Sequence, residues 1–146
     1  MCVSHLISKR FNKKDTKIGY KIVITKNGNL ESLYPISINN NYAYCNNTWN
    51  VEKSKNTTPC ICSGKRYDVG FHMFTNKKDA LTYYLDMQQN YPLLSLELYK
   101  VEYKNTCTYG KEMWEQYNKP KYLNIVVAKK FRFLEKLLPI DKQTKI

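Results

Sequence analysis

The sequence predicts an α+β domain, a mostly antiparallel sheet with one or two helices packed on one face. Three observations lead there. Aromatic and β-branched residues alternate with polar ones over 20–24 and 94–103, and again towards the end of 123–133, which is the period of a strand. Only the stretch after Asn76 spaces its apolar residues as a helix does. With 146 residues, 42% of them hydrophobic and 25% charged, the chain holds one domain with a core of its own. The expected boundaries are a basic, flexible arm over 1–18, a single domain over 19–140 and a tail over 141–146.

The elements follow in order. The first strand, over 20–24, runs into Lys26-Asn27-Gly28-Asn29, and the Asn-Gly step marks a tight hairpin turn. A returning strand is expected over 30–38, interrupted by Pro35. Residues 39–65, rich in Asn, Thr, Ser and Lys, read as a long loop anchored by Trp49 and Val51. A short strand over 70–74 leads straight into the helix, with Asn76 as its N-cap and Asp79 three positions on, the spacing of a capping box. Ala80, Leu81, Tyr84, Leu85 and Gln88 then recur at helical spacing until Asn90-Tyr91-Pro92. Residues 94–103 form the clearest strand, with Leu94, Leu96 and Leu98 on one face and Tyr99, Val101 and Tyr103 on the other. Residues 106–120 read as a loop with a helical turn around Trp114, 123–133 as a second long strand, and 134–140 as a final helical turn.

The net charge of +12 is confined to the two ends: residues 1–30 and 119–146 carry +6 each, and the middle sums to zero. Lys supplies nearly all of it, since the only arginines are Arg10, Arg66 and Arg132. A+T-rich coding DNA, as in some viruses and low-GC bacteria, produces that bias without selection for function. In the strand near the end, Lys130 and Arg132 alternate with Phe131 and Phe133, so burying the rings turns those cations outward. If the first and last core strands pair, Lys21 joins Lys129, Lys130 and Arg132 in one anion-binding patch, attractive to a polyanion such as nucleic acid or a nucleotide.

Five cysteines at irregular spacing (Cys2, Cys45, Cys60, Cys62 and Cys107) suggest reduced thiols, and Cys60-Ile61-Cys62 lacks the spacing and His partners of a zinc site, so no metal is expected. No apolar run approaches the ~18 residues of a membrane span, and residues 1–10 lack a signal-peptide core. The expectation is a soluble, cytoplasmic protein without a membrane partner. No complete catalytic motif, phosphate loop or paired carboxylates occur, so no catalytic residue and no cofactor are assigned.

Gly70-Phe71-His72, then Asp79-Ala80, then Tyr83 resembles the nicotinamide-pocket segment of ADP-ribosyltransferase toxins of the diphtheria type. That resemblance implies an ADP-ribosyltransferase-like fold, with His72 and Tyr83 flanking a planar ring and with Tyr20 and Lys21 where the family places a His or Arg on its first core strand. The family's late catalytic Glu has no counterpart on the matching strand; Glu97 or Glu102 would have to serve. The pieces Tyr20 to Val23, Gly28 to Ser32, Gly70 to Tyr83 and Val126 to Leu134 together look like small proteins of phages and large DNA viruses, a family that implies no activity. The function expected is therefore a small basic binding protein for an anionic partner. A diverged transferase and a viral effector docking on a host protein are the alternatives.

Overall fold

The computed structural model describes residues 5–8, 14–32, 43–59, 64–116 and 119–140. In chain order these form β1 (His5–Ser8), β2 (Lys17–Lys26), β3 (Asn29–Ser32), β4 (Asn50–Val51), β5 (Thr57–Pro59), β6 (Arg66–Asp68), β7 (Phe71–Phe74), α1 (Lys77–Asn90), β8 (Leu96–Gln116) and β9 (Lys119–Leu138). The α+β expectation is corrected: the protein is sheet-dominated and mostly antiparallel, and α1 is the single helix among the described residues. Both stretches expected to turn helical, 106–120 and 134–140, are strand over most of their length, because the long hairpin β8–β9 gives each a partner: Thr106 to Gln116 pair with Lys119 to Ala128, and Glu135, Lys136 and Leu138 pair with Lys100, Tyr99 and Leu98. Part of the arm expected over 1–18 pairs as well, β1 lying antiparallel on β8. The tail over 141–146, most of the strand expected over 30–38, and Cys60 and Cys62 lie outside the described residues.

The hairpin β8–β9 organises everything else. Its pairing runs from Leu98↔Leu138 to Gln116↔Lys119, and three irregularities bend it: Leu137 and Leu134 are extra residues on β9, and Cys107 is extra on β8. Bent in this way, the two strands present different partners along their length. β8 pairs with β2 over Leu96 to Tyr103, β9 pairs with β7 over Ile125 to Ala128, and β2 meets β7 at Tyr20↔Phe74. The four strands thereby close a ring, β8–β2–β7–β9–β8. At the β2–β3 turn, Asn27 (φ 53°) and Gly28 (φ 79°) both adopt positive φ, which a type I′ hairpin requires.

Two apolar clusters fill the two sides of the sheet. On one side α1 lays Ala80, Tyr83, Tyr84 and Met87, at positions i, i+3, i+4 and i+7, over Ile22, Phe74, Leu96, Leu98, Leu123, Ile125 and Val127. On the other side Met73, Val101, Tyr103, Val126, Ala128 and Phe131 pack together, with Tyr44, Phe71, Tyr99 and Phe133 around them. The Phe131 ring is the hub of an edge-to-face group, with centroids 4.8 Å from Phe71 and 5.2 Å from both Tyr44 and Phe133. β2 and β7 pass so closely over their neighbours that glycine is required at Gly70. A Cβ there would lie 2.8 Å from the Ala128 carbonyl oxygen and 2.9 Å from Val127 Cγ1.

Candidate functional site

The charged residues of the hairpin gather on the face away from Phe131. On β8, Lys100, Glu102 and Lys104 alternate with the inward Val101 and Tyr103; on β9, Lys130 and Arg132 alternate with the inward Phe131. The register sets them in rows, Glu102 opposite Arg132 and Lys104 opposite Lys130. β4 adds a third strand, because Asn50 pairs with Phe131 and Val51 with Lys130. Trp49, one residue before Asn50, therefore arrives beside Arg132. The Asn50 side chain holds that approach: its Oδ1 accepts from the Cys45 amide at 2.8 Å, and its Nδ2 donates to the Cys45 carbonyl at 3.1 Å.

On this face two cations lie over one indole. Lys104 Nζ is 4.4 Å and Arg132 Cζ 4.9 Å from the Trp49 ring centroid. Arg132 Nη2 also donates to both oxygens of Glu102, at 3.2 and 3.3 Å, and its side chain remains 44% exposed. Lys104 and Lys130 face each other directly, a like-charge pair that disfavours the sheet unless an anion intervenes. Three cations, one carboxylate and an aromatic surface thus share a few square nanometres of sheet at most, a composition suited to phosphate and to flat rings.

The other cations expected in this patch are placed differently. Lys21 is 5% exposed and lies on the inner side of the sheet. Its Nζ donates to the His72 carbonyl oxygen at 2.8 Å and sits 5.2 Å from the Phe131 centroid and 5.3 Å from that of Tyr44. Phe131 thus separates it from Arg132, and burial pulls its pKa from 10.5 down to about 7. Lys129 donates to the carbonyl oxygens of Ser54 (2.9 Å) and Val69, which ties the loop after β4 to the approach of β7. First and last core strands do not supply one patch: β2 has β8, β3 and β7 as its neighbours.

His72 and Phe74 share the helix-bearing side of β7, and so does Tyr83 of α1. The His72 Nε2 lies 3.3 Å from the Tyr67 hydroxyl, and burial, with the nearby charge of Lys21, holds its pKa down at about 3. Tyr83 has no exposed surface and packs on Phe74 at a centroid distance of 5.4 Å. Tyr20 is half-buried against the same cluster. Asp79 does not reach a ligand: its Oδ2 accepts from the Asn124 amide at 2.9 Å and from Asn76 Nδ2 at 3.1 Å, while Asn76 Oδ1 caps the helix through the Asp79 amide. Of the acids named for a transferase, Glu102 holds Arg132, and Glu97 accepts from Thr25 and Tyr99 and pairs with Lys136 at 3.1 Å.

Cys107 is buried, its Sγ 3.4 Å from the Val127 carbonyl oxygen, and burial raises its pKa, so it is a packed thiol rather than a thiolate. No cluster of metal-ligating side chains occurs among the described residues. None of their helices is long and apolar enough to cross a membrane. Trp49 and Lys104 enter the site from outside the expected residues, and Glu102, expected only as a transferase acid, enters it as the partner of Arg132. For Lys104 and Glu102 the signal was present, since Lys-X-Glu-X-Lys keeps the two-residue period of the strand; Trp49 has no local signal, because β4 is brought to β9 from far away in sequence. Comparison with protein-family models, with curated proteins and with solved structures finds no match to this chain.

Proposed function

We propose that this is a small basic protein that binds an anionic partner, nucleic acid in particular, through the outer face of β4, β8 and β9. One observation carries the reading: Lys104 and Lys130 stand directly opposite each other, next to an Arg132 that stacks on Trp49. Like charges set opposite each other weaken a sheet, and a bound oxyanion between them would offset that cost. Both ends of the chain are basic, so long-range attraction would steer a polyanion to the protein before this face makes contact. The exposed, unpaired thiol of Cys45 supports work in a reducing, intracellular compartment.

Fluorescence anisotropy of labelled random oligonucleotides, titrated from about 50 to 200 mM salt, tests the reading. Binding should weaken with a log–log slope of about −0.7 per contacted phosphate on single strands. Replacing both Lys104 and Lys130 with Gln should make that slope shallower by about one to one and a half units. No binding at the low-salt end would remove the proposal.

A further inference from the structure

We infer that the ligand of this face is an unpaired nucleic-acid strand, taken up by exchange: a phosphate replaces the Glu102 carboxylate on Arg132, and a base replaces a cation over the Trp49 ring. The inference rests on the function proposed above and adds the class of nucleic acid and the residue that holds the site closed without it.

The geometry of Arg132 is the starting point. Glu102 engages only one nitrogen of the guanidinium, Nη2, with both of its oxygens. A planar guanidinium binds an oxyanion best through two parallel N–H groups. Among the described residues Nη1 and Nε have no hydrogen-bond partner, so one fork of Arg132 is open there on an exposed side chain. The carboxylate therefore occupies Arg132 without saturating it, and among the described residues the row of Lys104 and Lys130 beside it pairs with no acid. A phosphate settling between these three cations meets a single opposing charge, Glu102, which must give up its contact or repel the newcomer.

The class of nucleic acid follows from Trp49. Among the described residues the ring carries two cation–π contacts, made by the two side chains that a phosphate would draw away. Once Lys104 or Arg132 turns to a phosphate, an indole face is uncovered beside it. An unpaired base can fill that face by stacking, whatever its identity. A duplex keeps its bases stacked on one another and shows only edges in its grooves, so it can use the cations but not the ring.

The test compares an oligothymidylate strand with a duplex of equal length, by anisotropy with the full chain. Glu102→Gln should bind the single strand about three- to fivefold more tightly, the factor expected on releasing an exposed ion pair. Trp49→Ala should weaken single-strand binding about tenfold and leave duplex binding within twofold of the parent, with Trp49→Phe restoring most of the loss. If Trp49→Ala does not fold, as judged by circular dichroism, the Trp49→Phe and Glu102→Gln proteins still decide. Unchanged affinity in Glu102→Gln, or equal losses on both nucleic acids in the Trp49 variants, overturns the exchange while leaving polyanion binding standing. Failure of the parent protein to bind either one at low salt overturns both.

Discussion

Lys21 Nζ donates a 2.8 Å hydrogen bond to the carbonyl oxygen of His72, tying β2 to β7 by a side chain where their backbones share the single register pair Tyr20↔Phe74. The amine makes this contact from within an aromatic enclosure, and that gives the fold a definite response to pH. In the unfolded chain the lysine keeps its proton up to about its ordinary 10.5, whereas in the folded protein it releases it near 7. Between those values unfolding takes up a proton, so stability is fully present above the upper value and is lost as pH falls towards the lower one. Cys107, shifted up from 9.0, and Tyr99 and Tyr103, pushed from 10.0 to about 12, act in the opposite sense only above pH 9. The urea midpoint should therefore rise between about pH 7.5 and 9, by on the order of 2 kcal/mol in stability. Lys21→Met should abolish that rise, and a parent midpoint that stays level across the same interval would contradict the burial of the amine.

His72 governs the next interval down. Its pKa is depressed from 6.5 to about 3, so it contributes stability above 6.5 that is lost as the solution is acidified towards 3. Lys21, released near 7, titrates only at the upper edge of this interval and adds little slope below it. Between about pH 7 and 5, before most carboxylates titrate, the parent should lose up to about 2 kcal/mol. His72→Gln, which keeps a polar partner for Tyr67, should show a flatter profile by chemical denaturation. Identical slopes in the two proteins would mean the imidazole is hydrated.

Gly70→Ala should destabilise by about 1–3 kcal/mol, because the new methyl group meets the carbonyl of Ala128, which is held in the β7–β9 ladder. Leu93→Ser serves as the contrast. Leu93 is 99% exposed, and its replacement should shift stability by no more than about 0.5 kcal/mol. Thermal melts of the two variants, side by side, check both; a Gly70→Ala protein that melts with the parent would show that β7 stands further from β9.

Lys130→Glu separates stability from binding. It turns the facing pair with Lys104 into one of opposite charge and should stabilise the hairpin by about 0.2–1 kcal/mol. The same change should weaken polyanion binding several-fold and lessen its salt dependence. A gain in melting temperature with no loss of oligonucleotide binding would move the ligand away from this face.

Much of the local structure was legible because local rules decide it. Asn27-Gly28 makes the turn, Asn76 caps the helix, and 94–103 shows its strand period without interruption. What lay hidden is where bulges break the period. Leu134, Leu137 and Leu138 recur three and four apart, as in a helix, yet Leu134 and Leu137 are the extra residues of two bulges in β9. Around Lys104-Asn105-Thr106 the polar composition suggests a loop, while the ladder continues past Asn105 at a φ of 58° because β9 supplies the partner. Half of the binding face could be read from alternation, which sends Lys130 and Arg132 outward once Phe131 is core. The fate of Lys21 could not: ring closure covers both faces of β2, so alternation no longer separates wet from dry.

The closed circuit β8–β2–β7–β9 also has a consequence for how the chain is made. β2 leaves the ribosome some seventy residues ahead of β8, its longest partner, and β7 must wait in the same way for β9. Until the hairpin has emerged, β2 has only the short β3 and β7 to pair with, and its apolar side is bare. Contacts this distant in sequence are slow to form and leave strand edges exposed meanwhile. Until the β9 segment appears, the apolar side of β2 has no strand to cover it, and only then does the hairpin shut the ring from behind.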